Sequence, residues 1–306
     1  MKKVIIIAIM TIIGFAASAF ATIIDIPEDY PTIQQGIDAS VDSDTVLVQP
    51  GTYVENINFN GHNIVLGSLF LTTGDTTYIG QTVIDGDSAG HVIEITSFED
   101  SLTTISGFTI INGTFGGIYI RESNVSILNN IITRNSSGGW GGGIFLFNSS
   151  NSKIKNNIIT ENISDGYDGG AGGGICCWQS TIQLDSNFIC YNIAEKRPLY
   201  DGVGGGIYLR NSTVSMFNNI ISQNKSFAGG SGIYCLGSDN IDSYLDIVNC
   251  IFSNNHAQGI FLYRNVTTIN NSIIWLNGGD EIVNFSQLTI TYSDIEGGMG
   301  RYRKYR

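Results

Sequence analysis

Hydrophobic and polar residues alternate along most of this chain with a period of two, in short bursts separated by Asn- and Gly-rich turns. One burst recurs as a phrase: SGFTIIN (106–112), NNIITRN (129–135), NNIITEN (156–162), SNFICYN (186–192), NNIISQN (218–224), NCIFSNN (249–255) and NSIIWLN (271–277). The closing residues Asn112, Asn135, Asn162, Asn192, Asn224, Asn255 and Asn277 are separated by 23, 27, 30, 32, 31 and 22 positions. A repeat of this size that tolerates changes in length marks a solenoid, in which each unit buries its apolar side only against its neighbours.

Each repeat holds a second phrase, a glycine followed by an alternating strand: GIYIR (117–121), GIFLF (143–147), GICCW (174–178), GIYLR (206–210), GIYCL (232–236) and GIFLY (259–263). Alternation turns Ile118, Ile144, Ile175, Ile207, Ile233 and Ile260 inward, with Ile120, Leu146, Cys177, Leu209, Cys235 and Leu262 two positions on. A third strand follows: NVSIL (124–128), SKIK (152–155), STIQL (180–184), STVSM (212–216) and YLDIV (244–248). Each coil therefore reads as three strands. The turns before the Ile-Ile pairs carry Asn129-Asn130, Asn156-Asn157, Asn187, Asn218-Asn219, Asn249 and Asn271. Asparagine tolerates left-handed backbone, and its amide can bond the same amide one coil on, so these residues predict an asparagine ladder, with a second from the closing Asn. No repeat shows the 3,4-spacing of an amphipathic helix, and the Leu-x-Leu pattern with helical linkers of a leucine-rich repeat is missing.

These phrases resemble those of the right-handed parallel β-helix superfamily that includes pectate lyases and pectin methylesterases. IPEDYPTIQQGIDASVDSDTVLVQPGTYVENI (26–57) is similar to that family's opening segment, where a short amphipathic helix caps the core ahead of a first strand and a PGTY-x-E turn. The resemblance covers roughly residues 24–298. It implies an all-β fold: a single right-handed parallel β-helix (β-solenoid) of about nine coils with a short N-terminal capping helix. Pro31 is expected in that helix's first turn, and Ile33 and Ile37 form its apolar i, i+4 pair. VLVQP (46–50), NIVLG (63–67), TVIDG (82–86) and VIEIT (92–96) read as strands of the first two coils, and IVNFS (282–286) and LTITYSDI (288–295) as the last. The expected division is a signal peptide at 1–21, an N-terminal cap at 22–44, the β-helix at 45–298 and a basic tail at 299–306.

Composition adds compartment and charge. Lys2 and Lys3, the apolar run VIIIAIMTIIGFA (4–16) and Ala19-Phe20-Ala21 predict a secretory signal cleaved after Ala21, and hence a secreted, extracellular, surface or periplasmic protein with no membrane span in the mature chain. The chain has 27 acidic and 15 basic residues, and four of the basic ones (Arg301, Arg303, Lys304, Arg306) lie in the last six positions. Such an acidic body disfavours nucleic acid as a partner. The five cysteines, at 176, 177, 190, 235 and 250, fit no zinc pattern and read as small core fillers, with Cys176 and Cys177 on opposite sides of a strand. The tail is too short and polar to close the core. Three readings of that end stand: the tail covers it, another chain docks there so that the protein self-associates, or the sequence is truncated.

The candidate chemistry lies on the outward side of the Gly-led strands. Its outward pairs are Tyr119 and Arg121, Phe145 and Phe147, Cys176 and Trp178, Tyr208 and Arg210, Tyr234 and Leu236, Phe261 and Tyr263. Eight of the twelve are aromatic where a solvated face would be polar. Coils about 4.8 Å apart make this a strip of roughly 24 Å, flat enough for a sugar chain to stack on. Long segments before these strands (136–142, 163–173, 193–205, 225–231) emerge along one edge. The resemblance implies a substrate cleft on such a face, walled by such loops. They contribute Trp140, Tyr167 and Tyr200 to the ligand-binding set. Arg197, Lys196, Asp168 and Asp201 are the catalytic candidates, and Asp165, Asp168 and Asp201 could hold Ca²⁺.

The superfamily's catalytic motifs do not carry over. The methylesterases' QDT and DFIFG and the polygalacturonases' NTD, DD and GHG are absent, and KRPLY (196–200) does not match the pectate lyases' RxPxxR. His62, His91 and His256 fall in different coils, against a histidine acid–base pair. The leading expectation is a secreted β-helix that binds polysaccharide along the aromatic strip. The alternatives are a polysaccharide lyase or glycoside hydrolase, and a non-catalytic surface or adhesion module.

Overall fold

The computed structural model describes residues 21–166, 170–195, 202–238 and 243–296, and the backbone of 302–304. Within these residues the chain winds as a solenoid in which every strand pairing is parallel, in register but for one shift between the last long strands. The Ile-Ile phrases and their flanking coils form a sheet of ten strands, from Gly51–Val54, Thr82–Asp85 and Thr109–Ile111 through Ile131–Thr133, Ile158–Thr160, Phe188–Cys190, Ile220–Ser222, Ile251–Ser253 and Ile273–Trp275 to Asp294–Ile295. Ten rungs agree with the expected solenoid of about nine coils. The Gly-led strands and the third strands form the other two faces. They merge into one sheet because Ile260–Asn270 and Ile282–Thr291 each run through both faces, with a register shift between Tyr263 and Val266.

Inside, one apolar core runs from Ile24 to Ile295. The alternation is obeyed: Ile118, Ile144, Ile175, Ile207, Ile233 and Ile260 are all fully buried, and so are Ile120, Leu146, Cys177, Leu209, Cys235 and Leu262. Each of the buried isoleucines and leucines contributes about 1.5–3 kcal/mol. All five cysteines are free and buried.

Both asparagine ladders form. In the first, the backbone and side-chain amides of Asn130 donate to Asn157 Oδ1, those of Asn157 to Asn187, and those of Asn187 to Asn219. The second runs Asn135, Asn162, Asn192, Asn224, Asn255 and Asn277, and ends on the buried carboxylate of Glu281. The two residues of each Asn-Asn pair divide the work. Asn129, Asn156 and Asn218 take the left-handed backbone (φ 56, 56 and 57°), while their successors turn inward to the ladder. A serine ladder at the turn into the third strands was not expected: the amides of Ser149, Ser180 and Ser212 donate to the hydroxyls of Ser180, Ser212 and Ser243.

The glycines have a geometric cause at the strand entrance. Gly172 has φ +68°, and a Cβ there would lie 2.2 Å from the Ile175 carbonyl oxygen. A Cβ on Gly174 would lie 2.7 Å from the Gly206 carbonyl oxygen and 3.0 Å from the Asn192 amide. The close coil stacking thus excludes any side chain.

The capping helix spans Ile33–Ala39, with Ile33 and Ile37 fully buried. Thr32 is its N-cap, so Pro31 precedes the cap instead of sitting in the first turn. Glu55, the acid of the PGTY-x-E segment, accepts from the amides of Ile33 and Gln34 at 2.9 and 3.0 Å. That carboxylate satisfies helix amides left without an intrahelical partner. The segment expected as cap alone also holds Ile23–Ile26, a strand paired with Thr45–Val48, so winding begins before residue 45. Two short helices, Phe70–Thr73 and Thr77–Gln81, interrupt the early coils. In the tail, Tyr302–Lys304 pairs with Ile282–Asn284 as one further strand.

Candidate functional site

The outward residues of the Gly-led strands line up in two columns. Register pairs Tyr119 with Phe145, Phe145 with Cys176, Cys176 with Tyr208, Tyr208 with Tyr234 and Tyr234 with Phe261. The second column runs Arg121, Phe147, Trp178, Arg210, Leu236, Tyr263 and Phe285. The aromatic residues of successive coils are therefore neighbours.

They are not one continuous open strip. At the N-terminal end, His91 stacks on Tyr119 at 4.8 Å and Tyr119 on Phe145 at 5.4 Å. A second stack runs from Tyr208 to Tyr234 (5.9 Å), Phe261 (4.5 Å, planes 8° apart) and Phe285 (5.8 Å). Cys176 separates the two.

The interruption comes from the loops. Trp140, Ala171, Val203 and Gly229 bridge one another in parallel, so the long segments stack as a small extra wall beside the strip. Ala171 packs with Cys176 and Tyr208 in a separate apolar cluster, joined by Phe145, Val203, Tyr234 and Leu236. Cys176 and Tyr208, expected to face solvent, are 0% and 7% exposed and so cannot serve as open ligand contacts. Burial pushes the Cys176 thiol and the Tyr208 phenol well above their ordinary values, so both stay protonated. His91, not among the expected site residues, is pushed down to about 4 by burial and is neutral at physiological pH.

The accessible part of the strip lies around the second column. Trp140, from the loop wall, is 41% exposed. It meets Trp178 edge to face at 5.0 Å and lies 6.0 Å from Phe145. Phe147 meets Trp178 at 5.6 Å, and the Arg210 guanidinium lies 4.6 Å over the Trp178 ring. Arg121 is exposed beside Phe147. The result is an aromatic corner with a cation at either side. Tyr263 and Phe285, with Arg264 5.1 Å over the Tyr263 ring, form a smaller group further along.

Tyr167, Asp168, Lys196, Arg197, Tyr200 and Asp201 lie outside the described residues, and with them every catalytic candidate. Asp165 is described: its amide donates to the Ser137 carbonyl at 2.9 Å. Among the described residues no group of three His, Cys, Asp or Glu side chains is placed to hold a metal ion. No helix among them is long and apolar enough to cross a membrane.

A family model described as right handed beta helix region matches residues 34–189, 68–241 and 168–295. The chain belongs to that family. No curated protein matches this β-helix in sequence. Among solved structures it is similar to the ORF18 protein of Geobacillus virus E2, at 13% identity and a TM-score of 0.53, over 87% of this chain and 58% of that one. The β-helix therefore spans little more than half the length of the viral protein. It is also similar to an alginate lyase from Paenibacillus sp. str. FPU-7, at 11% identity and a TM-score of 0.59, over 90% of this chain and 96% of that one. A pectin methylesterase from Aspergillus niger matches at 13% identity and a TM-score of 0.43, over 95% and 91% of the two chains. Identities this low speak to the fold alone.

Proposed function

We propose that this β-helix is a secreted protein that binds a polysaccharide on the outer side of its Gly-led sheet. The observation that carries the reading is the corner formed by Trp140, Phe147 and Trp178. Three large rings are held at fixed angles, with Trp140 well exposed, between Arg121 and Arg210. Aromatic rings present an apolar body to the C–H faces of a sugar, and guanidinium groups donate to hydroxyl or carboxylate oxygens. The loop wall gives the corner one raised side, as in a groove that holds an extended chain. The leader-like residues 1–21 support export to where polysaccharides occur. The Paenibacillus neighbour is an alginate lyase, which agrees with a carbohydrate ligand.

The arginines bear on ligand charge. The body of the chain is acidic and repels an anionic polymer at long range. Arg121 and Arg210 offset this locally, so both neutral and uronate chains belong in the assay.

The test is retention of the mature protein on affinity gels and glycan arrays of both kinds. Trp140→Ala with Trp178→Ala should weaken retention at least tenfold, about 1.4 kcal/mol. Equal retention of the folded double variant would remove the reading. Released reducing ends or unsaturated products in the same incubation would place the chain among lyases or hydrolases instead.

A further inference from the structure

The start of the solenoid places a main-chain nitrogen against a carboxylate that lacks a cation. Thr22 precedes the strand Ile23–Ile26, and Asp44 precedes its partner Thr45–Val48. The Thr22 nitrogen donates to Asp44 Oδ1 at 2.8 Å, and the Thr22 hydroxyl donates to the same oxygen at 2.8 Å. The Val41 amide donates to Oδ2 at 2.8 Å. Asp44 is 2% exposed. Burial works against its charge, but the bonds from Val41 and Thr22 outweigh it and hold the carboxyl below its ordinary value, so it is ionised at neutral pH. Among the described residues no Lys, Arg or His side chain forms an ion pair with it. The titratable groups on the elements around it are Asp25, Asp29, Asp38, Asp42 and His62, and none of them bonds to Asp44.

The sequence offers the missing cation at this same residue. The small-residue site Ala19-Phe20-Ala21 of the leader-like segment ends one bond before Thr22. A leader peptidase acting there hydrolyses the Ala21–Thr22 peptide bond. The C–N bond breaks, and the water oxygen bonds to the Ala21 carbonyl carbon to leave a carboxylate. The Thr22 nitrogen leaves as an amine, which takes up a proton at neutral pH. The atom that processing charges is the one already bonded to Asp44. The leader pattern and the contact at Asp44 are independent observations, and they fall on one residue.

We propose that removal of the leader after Ala21 creates an ion pair between the Thr22 α-ammonium and the Asp44 carboxylate, which fastens the first strand to the second only in the exported protein. Before cleavage the site holds a neutral amide, whose hydrogen bond is weaker than a charge-assisted one. The place matters because chain termini fray unless they are tied down. Among the described strands Ile23–Ile26 pairs with Thr45–Val48 alone. The Thr22 carbonyl also accepts from the Thr45 amide at 2.8 Å. Both main-chain groups of the new terminal residue are then held, the nitrogen by Asp44 and the carbonyl by Thr45. The proposal rests on residues 1–21 being a leader, and not on the polysaccharide reading.

N-terminal sequencing of the protein exported from a bacterial host should read Thr22 first. In that chain the Thr22 amine, followed by NMR against pH, should titrate at least half a unit above its ordinary value of about 7.7–8.0. An amine raised in the folded state stabilises it fully below the ordinary value, and that share is lost as pH rises through the raised one. A second chain, produced to keep residues 17–21, carries its amine away from Asp44. At about pH 7 its unfolding constant should be at least threefold larger than that of the chain starting at Thr22, and the gap should close above about pH 10. Asp44→Asn should return the Thr22 amine to its ordinary value and make the two chains equally stable. Where that variant fails to fold, the two chains with Asp44 intact decide alone. An exported protein that begins elsewhere overturns the proposal. So does a Thr22 amine that titrates at its ordinary value, or equal stability of the two chains. None of these measurements reads glycan retention, so this proposal and the polysaccharide reading fail independently.

Discussion

The side-chain amide of Asn162 donates to Oδ1 of Asn192, 30 residues further along the chain, at 3.0 Å in a fully buried environment. The same amide bonds the Ile132 carbonyl at 2.9 Å, and Asn162 Oδ1 accepts from the backbone and side chain of Asn135. One side chain thus ties its own coil to the coils on both sides.

Asn162→Leu takes the Asn162 bonds from the Ile132 carbonyl and the Asn135 backbone amide in the core, while the Asn135 side-chain amide keeps the Ile110 and Thr133 carbonyls. Each orphaned group costs about 1–3 kcal/mol. Chemical denaturation should show a loss of at least about 2 kcal/mol. A change below about 1 kcal/mol would mean that the ladder contributes little to folding.

Ile158 and Ile159 give a contrast between adjacent residues. Ile159 is fully buried and Ile158 is 41% exposed. Ile159→Ala should cost about 2–5 kcal/mol by leaving a cavity. Ile158→Thr, on the outer side of the Ile-Ile sheet, should change stability by less than about 1 kcal/mol. Similar losses for the two would show that this outer side is itself covered.

Tyr208 and Trp140 separate packing from binding. Tyr208→Ala removes a buried ring stacked on Tyr234 and should cost about 3–5 kcal/mol of stability. Trp140→Ala should leave thermal unfolding nearly unchanged and weaken glycan retention. The reverse result would place the ligand under the loop wall.

His91 sets a pH window. Burial lowers its folded pKa to about 4 from an ordinary 6.5, so between those values the unfolded chain binds a proton that the folded chain does not. Stability should therefore rise as pH goes from about 4 to about 6.5, with the His91 contribution flat above that. His91→Phe, which keeps a ring against Tyr119, should flatten the slope in this window. An unchanged slope would assign it to other groups.

The coil architecture was legible because its information is local and repeated. Alternation marked Ile144 and Leu146 as inward, and the paired asparagines marked both the turn and the ladder. The Glu55 bond to the capping helix was not legible from spacing, since it joins residues more than 20 apart. Nor was the serine ladder, because serine is common in turns of every kind. The outer side of the Ile-Ile sheet had a signal, the first residue of each Ile-Ile pair, but a pair of isoleucines alone does not say which one faces out. The site was less legible than the fold. Phe145 and Cys176 occupy equivalent outward positions, and only the former keeps partial exposure.

By itself the sequence determined the repeat, the inward set and the glycine positions, because strand period and backbone sterics act over a few residues. Tertiary structure alone decided which outward residues stay open. Ala171 and Val203 sit in loops of unequal length, and whether such loops stack over Tyr208 or swing clear depends on contacts between coils about 30 residues apart. No local pattern encodes that outcome.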